Sequence, residues 1–132
     1  MYTKDFFHKH HNSEDWRRYG MSEYKDKLIE LKEDLRELML KAPELAKFGE
    51  FVKIAESTNV LDEKTKELIT VGIAIALRCE PCIMWHIDAA LNAGATLEEI
   101  LETIKVAVAM GGGPALMYGI KAYEILKEYS KR

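Results

Sequence analysis

The sequence has no surplus of positive charge, no apolar run long enough to cross a bilayer and almost no strand-like alternation. Its 19 basic side chains are outnumbered by 22 acidic ones, for a formal charge of −3. Phosphate backbones attract strongly basic surfaces, so nucleic acid is not an expected partner. The longest apolar stretch, Leu68 to Leu77, falls well short of the roughly 20 residues that a membrane-spanning helix requires. No positively charged segment leads into an apolar stretch at the N-terminus, so no secretory leader is expected and the cytoplasm is the default compartment. No internal repeat, linker or low-complexity tract divides the chain, and 132 residues suit one domain with a hydrophobic core of its own. Cysteine is scarcer still: Cys79 and Cys82 are the only two, with two residues between them. Structural disulfides are rare in a reducing compartment, so such a close pair points to redox or metal chemistry.

What is present is helical periodicity. Residues 1–21 mix aromatic and charged side chains and read as an N-terminal arm; residues 22–132 read as one helical domain. Ser22 can cap a first helix on which Tyr24, Leu28, Leu31, Leu35 and Leu38 recur at threes and fours. Pro43 suits the first turn of a second, with Leu45, Phe48, Val52 and Ala55 on one face and Asn59 at its end. Asp62 caps a third, which turns apolar on all sides from Leu68 to Leu77 and therefore calls for burial on all sides, by a neighbouring subunit if not by this one. Pro81 opens a fourth, stopped by Gly94. Thr96-Leu-Glu-Glu99 is a capping box for a fifth, with Leu97, Ile100, Leu101, Ile104 and Val108 on one side. Gly111-Gly-Gly-Pro114 breaks it, and a last helix carries Leu116, Ile120, Tyr123 and Leu126. The expected fold class is all-α, a bundle of about six helices.

Around the cysteines the chain reads Cys79-Glu-Pro-Cys82-Ile-Met-Trp-His86, with Glu67 upstream. Residues three apart inside a helix hold their Cβ atoms about 5–6 Å apart, whereas a disulfide wants about 3.5–4.5 Å. Cys79 is therefore expected at the cap, where the backbone is not yet helical. The helix start favours thiolate over thiol, and Arg78 adds to that field. Cys82 and His86 share a face at i,i+4, so the imidazole can exchange a proton with the sulfur. Glu67, on the preceding helix, could orient His86 or take its proton if the two helices pack antiparallel. Other readings compete. A thioredoxin fold needs strands. Covalent haem needs histidine directly after the second cysteine, where Ile83 stands. Zinc held by Glu67, Cys79, Cys82 and His86 is a rival, and so is a pair of buried cysteines acting as small hydrophobes.

The spacing Glu67, eleven residues, Cys79-x-x-Cys82, three residues, His86 resembles the active-site signature of alkylhydroperoxidase AhpD, in the carboxymuconolactone decarboxylase superfamily. The flanks agree: Lys66-Glu67-Leu68-Ile69, then Ala90-Leu-x-Ala-Gly94-Ala-Thr-x-Glu-Glu-Ile100, then Met110-Gly-Gly-Gly-Pro114. The likeness runs from about Asp62 to Tyr123. It implies an AhpD-like helical bundle assembled as trimers or hexamers. It also implies hydroperoxide reduction through a redox-active Cys79–Cys82 disulfide, without any other cofactor, reset by a dithiol or thioredoxin-like reductant. Carried over, Cys82 is the peroxidatic thiol, Cys79 the resolving thiol, His86 the proton shuttle and Glu67 the base. One departure is chemical: AhpD has a relay histidine just before its second cysteine, and here Pro81 occupies that place. The decarboxylase branch, which acts on a lactone, typically lacks the cysteine pair.

Other features weigh less. His8, His10 and His11 suit a solvated arm better than a metal site. The glycines at 111–113 lack the Lys-Ser/Thr of a phosphate loop. Met84 and Trp85 suit either core packing or an apolar pocket. The aromatics Tyr2, Phe6, Phe7 and Trp16 could dock on a neighbouring subunit. The expected function is thiol-dependent hydroperoxide reductase or disulfide oxidoreductase. A lactone decarboxylase and a non-enzymatic zinc or redox-sensing module are the alternatives.

Overall fold

The computed structural model describes residues 23–131, so the expected arm, its histidines and its aromatics lie outside the described residues. Among the described residues five α-helical runs follow one another: α1 (Glu23–Lys41), α2 (Ala46–Glu56), α3 (Glu63–Ala76), α4 (Glu80–Asn92) and α5 (Leu97–Tyr129). A 3-10 turn, Pro43–Leu45, leads into α2. Among the described residues there is no strand. The expectation of an all-α fold holds, and no βαβ unit is available for a thioredoxin-like site.

The helices begin where their caps dictate. The Asp62 carboxylate accepts from the Thr65 amide at 2.7 Å and opens α3. Thr96 and Glu99 exchange side-chain and backbone hydrogen bonds, the reciprocal box that starts α5. The helix α4 stops in a left-handed turn at Gly94 (φ 95°), where the Ala95 amide donates to Ala90 and the Gly94 amide to Leu91.

The core lies where α3, α4 and α5 meet. Val71, Ile75, Ile83, Ile87, Ile100 and Ile125 are fully buried there, each contributing about 1.5–3 kcal/mol relative to an exposed side chain. From α1 only Tyr24 and Leu28 enter this core, and α2 contributes no buried residue. A polar clasp fixes α1: the Tyr129 hydroxyl donates to the Tyr24 carbonyl at 2.9 Å, and the Tyr24 hydroxyl donates to Glu124 at 3.0 Å. Burial and the Glu124 carboxylate raise the Tyr24 phenol well above its ordinary range.

Several expectations require correction. The α2 helix ends at Glu56 rather than Asn59, because the Ser57 hydroxyl donates to the Ile54 carbonyl and Lys66 captures the carbonyls of Ala55 and Ser57. Its predicted apolar face is uncovered, with Phe48 68% exposed. Within one chain Ile69 and Ile73 of α3, and Leu77 just past its end, face outward, the surface for which the sequence calls for a neighbouring subunit. One expectation holds: the Gly111–Pro114 breaker divides α5 into two helical segments, and the second returns along the first, so that Gly119 meets Ile104 and Val108. Gly112 alone leaves helical geometry (φ 69°, ψ −152°), a kink within α5. Beyond the kink the small residues Ala115, Gly119 and Ala122 face the core, while Leu116, Ile120 and Tyr123 face out. The reason is close approach: a Cβ at Gly119 would stand 3.1 Å from Ile104.

Candidate active site

The hinge between α3 and α4 builds the site. After Leu77 the chain turns through Arg78, whose φ of 59° is left-handed. The Arg78 amide donates to Ile75 and the Cys79 amide to Ala74, the paired bonds of a Schellman turn. Arginine replaces the usual glycine there, at a strain of order 1–3 kcal/mol. The same turn that closes α3 then opens α4. Cys79 is the N-cap in extended geometry, and its Sγ accepts from the Cys82 amide at 3.3 Å. Cys79 and Cys82 form a disulfide, with Cα atoms 5.3 Å apart. Pro81 in the first turn needs no amide partner.

Glu80, between the cysteines, ties this turn to the rest of the molecule. It lies 3.3 Å from the Lys121 ammonium on α5 and 3.6 Å from Lys27 on α1. These pairs are partly exposed and contribute little stability; their effect is to hold the cysteine turn between two helices.

One turn further along α4, His86 meets Glu67 of α3, with Nδ1 and Oε2 2.8 Å apart. Glu67 is the one buried charged side chain among the described residues. An ionised carboxylate can only accept, so Nδ1 carries the proton in this contact. On its other side His86 Nε2 lies 3.8 Å from Oε1 of Glu56, the last residue of α2. The carboxyl groups of Glu56 and Glu67 and the His86 ring lie together, with one ligand atom of each within 4.8 Å of the others. Burial is the largest cause that raises the Glu56 carboxyl above its ordinary range; the Glu67 charge adds to it, and His86 works against it.

Of the four site residues expected from the sequence, Cys79 and Cys82 pair with each other at the start of α4, and His86, one turn further along α4, pairs with Glu67 of α3. Glu56 was missed. Nothing at position 56 distinguishes it from the other carboxylates of the chain until α2 packs against α3. The zinc alternative drew on both cysteines, and in the disulfide neither sulfur is the thiolate that zinc binds. Met84 is buried in the core, while Trp85 lies under the Lys32 ammonium at 5.2 Å. Neither lines the cavity between α3 and α5.

Comparison with known proteins fits this geometry. The crystal structure of the apo form of a carboxymuconolactone decarboxylase family protein from Legionella pneumophila superposes with a TM-score of 0.79 at 37% identity, covering 83% of this chain and 98% of that one. A Thermotoga maritima protein of that family, for which a role in antioxidative response has been suggested, gives 0.74 at 28% identity over 80% and 91%. An uncharacterized protein from the cox locus of Paracoccus denitrificans is 40% identical over 76 residues, 58% of this chain and 68% of its own length. Residues 43–124 match the carboxymuconolactone decarboxylase family, and the chain belongs to that family.

Proposed function

We propose that the protein is a thiol-dependent hydroperoxide reductase of the AhpD type, with disulfide reduction as the closely related activity of the same site. The observation that carries this reading is the cysteine pair at the start of α4, joined as a disulfide beside a buried carboxylate–imidazole pair. In the reduced protein the Cys82 thiolate attacks the peroxide O–O bond. Cys82 becomes a sulfenic acid, and the departing alkoxide takes a proton to leave as an alcohol. The Cys79 thiolate then attacks the Cys82 sulfur, water leaves, and the disulfide forms. An external dithiol restores both thiols and is itself oxidised. His86 and Glu67 move the protons. The antioxidative role suggested for the Thermotoga maritima relative is in keeping with this chemistry.

The reading extends to assembly. An apolar groove of 410 Å³ runs between α3 and α5, lined by Leu68, Ile69, Ile73, Val106, Ala107 and Met110. We propose that copies of the chain pack on it as trimers or hexamers.

The test is single-turnover reduction of an alkyl hydroperoxide by the dithiol-reduced protein, followed with a dihydrolipoyl-type reductant. Cys82→Ser should abolish peroxide consumption, whereas Cys79→Ser should stop after one equivalent. Equal rates for the unaltered protein and Cys82→Ser would remove the proposed nucleophile. Turnover of a carboxymuconolactone by the double serine variant would favour the decarboxylase reading.

A further inference from the structure

We propose that Glu56, from α2, is the solvent-side end of the proton path that serves Cys82, linking bulk water to the Glu67–His86 pair. The inference rests on the thiol chemistry proposed above and assigns a residue to it that lies outside the cysteine motif.

Three observations support it. Exposure is graded along the group: the Glu67 side chain is 4% exposed, His86 16% and Glu56 28%. Glu67 is sealed from water, so its protons must arrive through a neighbour. Second, Glu67 occupies His86 Nδ1, which leaves Nε2 as the ring nitrogen that exchanges protons. Glu56 is the carboxylate on that side, at 3.8 Å, a gap that one bridging water or a small side-chain rotation closes. Third, Glu56 is held in place by the helix that carries Glu67. The Lys66 ammonium donates to the carbonyls of Ala55 and Ser57, at 2.9 and 2.7 Å. These are terminal carbonyls of α2, so the flanks of Glu56 are fastened to α3. A relay at this place also meets a chemical need, since Pro81 can carry no proton between the cysteines.

The charged groups that face Glu56 are Glu67 and Glu63 on α3 and His86 on α4, with Lys66 held on the adjoining carbonyls. In the forward step Cys82–SH loses its proton to Nε2 of His86 and becomes thiolate. Glu56 accepts that proton and exchanges it with water. In the return direction the same path delivers the proton that the departing alkoxide requires. Glu56 touches neither the sulfur nor the peroxide, so it is a positioning and relay residue.

The test uses the full chain carrying Cys79→Ser, which isolates Cys82. Second-order rate constants are measured from pH 4 to 9 for alkylation by iodoacetamide and for oxidation by hydrogen peroxide. With Glu56 present, both profiles should fall on the acid side through a midpoint above the ordinary carboxylate range, because Glu56 fills with a proton and stops accepting. Glu56→Gln should remove that limb and slow the peroxide step by at least about tenfold, the low end of proton-transfer effects. Glu56→Asp should restore part of both. Profiles and rates that superimpose with and without the Glu56→Gln substitution would overturn the proposal. Should Glu56→Gln fail to fold, the carboxyl ¹³C titration of Glu56 in the unaltered protein decides. An ordinary midpoint, unmoved by His86→Gln, overturns the relay; a raised midpoint that moves with His86→Gln supports it. A protein inert to peroxide, whose alkylation profile still changes with Glu56→Gln, would sink the peroxidase reading and leave the relay standing.

Discussion

At the scale of single residues, the site depends on a few polar contacts whose removal has definite consequences. Glu67→Gln keeps the shape and a hydrogen bond to His86 but removes the charge that fixes its tautomer. The expected result is a loss of roughly 10²-fold or more in peroxide reduction, with little change in melting temperature, read by stopped-flow kinetics and calorimetry together. Tyr129→Phe deletes the hydroxyl that satisfies the Tyr24 carbonyl, and should cost about 1–2 kcal/mol in urea denaturation. Acid stability has a sign. Asp62 and Glu99 are held below their ordinary range, Asp62 by the Thr65 side chain and amide and Glu99 by the Thr96 amide and Lys64. Their folded pKa values lie below the unfolded ones, so their contribution is present above the unfolded carboxylate range and is lost as pH falls through the folded values. Glu56 runs the other way: its raised folded value favours the fold at low pH and is lost as pH rises through it. Melting temperature against pH for Glu56→Gln should therefore approach that of the unaltered protein at low pH and exceed it at neutral pH. The four motif residues were legible because short-range spacing on two helices carries them. Glu56 was not legible, since its place depends on where α2 stops.

Among the elements, caps and turns follow local chemistry closely, while the phase of a helix does not always do so. Asp62, Thr96 and Gly94 perform the roles that their residue types suggest. Arg78 does not, and a left-handed arginine between α3 and α4 is the local strain that the hinge carries. Arg78→Gly should thus raise stability by up to about 1 kcal/mol, and a fall in the denaturation midpoint would contradict that account. Gly112→Ala should do the reverse, costing about 1–2 kcal/mol, because an L side chain is strained at its positive φ. In α5 after the kink Leu116, Ile120 and Tyr123 face outward and the small Ala115, Gly119 and Ala122 face inward, while Leu126 is buried as its spacing suggests. Periodicity assigns the two faces of a helix but does not say which is buried when the segment before the kink, here through Ile104 and Val108, lies close enough to require glycine.

For the whole molecule, the quantity that matters is apolar surface left outside. Ile73 and Val106 stand open along the groove between α3 and α5, and Met110 is 83% exposed. Exposed apolar patches of this kind mark association sites. Val106→Asp is expected to convert an oligomer to a monomer in sedimentation velocity while leaving the helical content by circular dichroism unchanged. A monomer before substitution, or an oligomer after it, would remove the groove from the interface.

By itself, the amino-acid sequence determined the helical class, most of the caps and the cysteine–histidine–glutamate pattern, because each depends on bonds spanning a few residues. Only the tertiary structure decided that Glu56 joins Glu67 and His86, that the two segments of α5 pack against each other, and that much of α2 and one strip of α3 remain uncovered. Those outcomes depend on how closely separate helices approach, a distance set by the summed packing of side chains far apart in the chain.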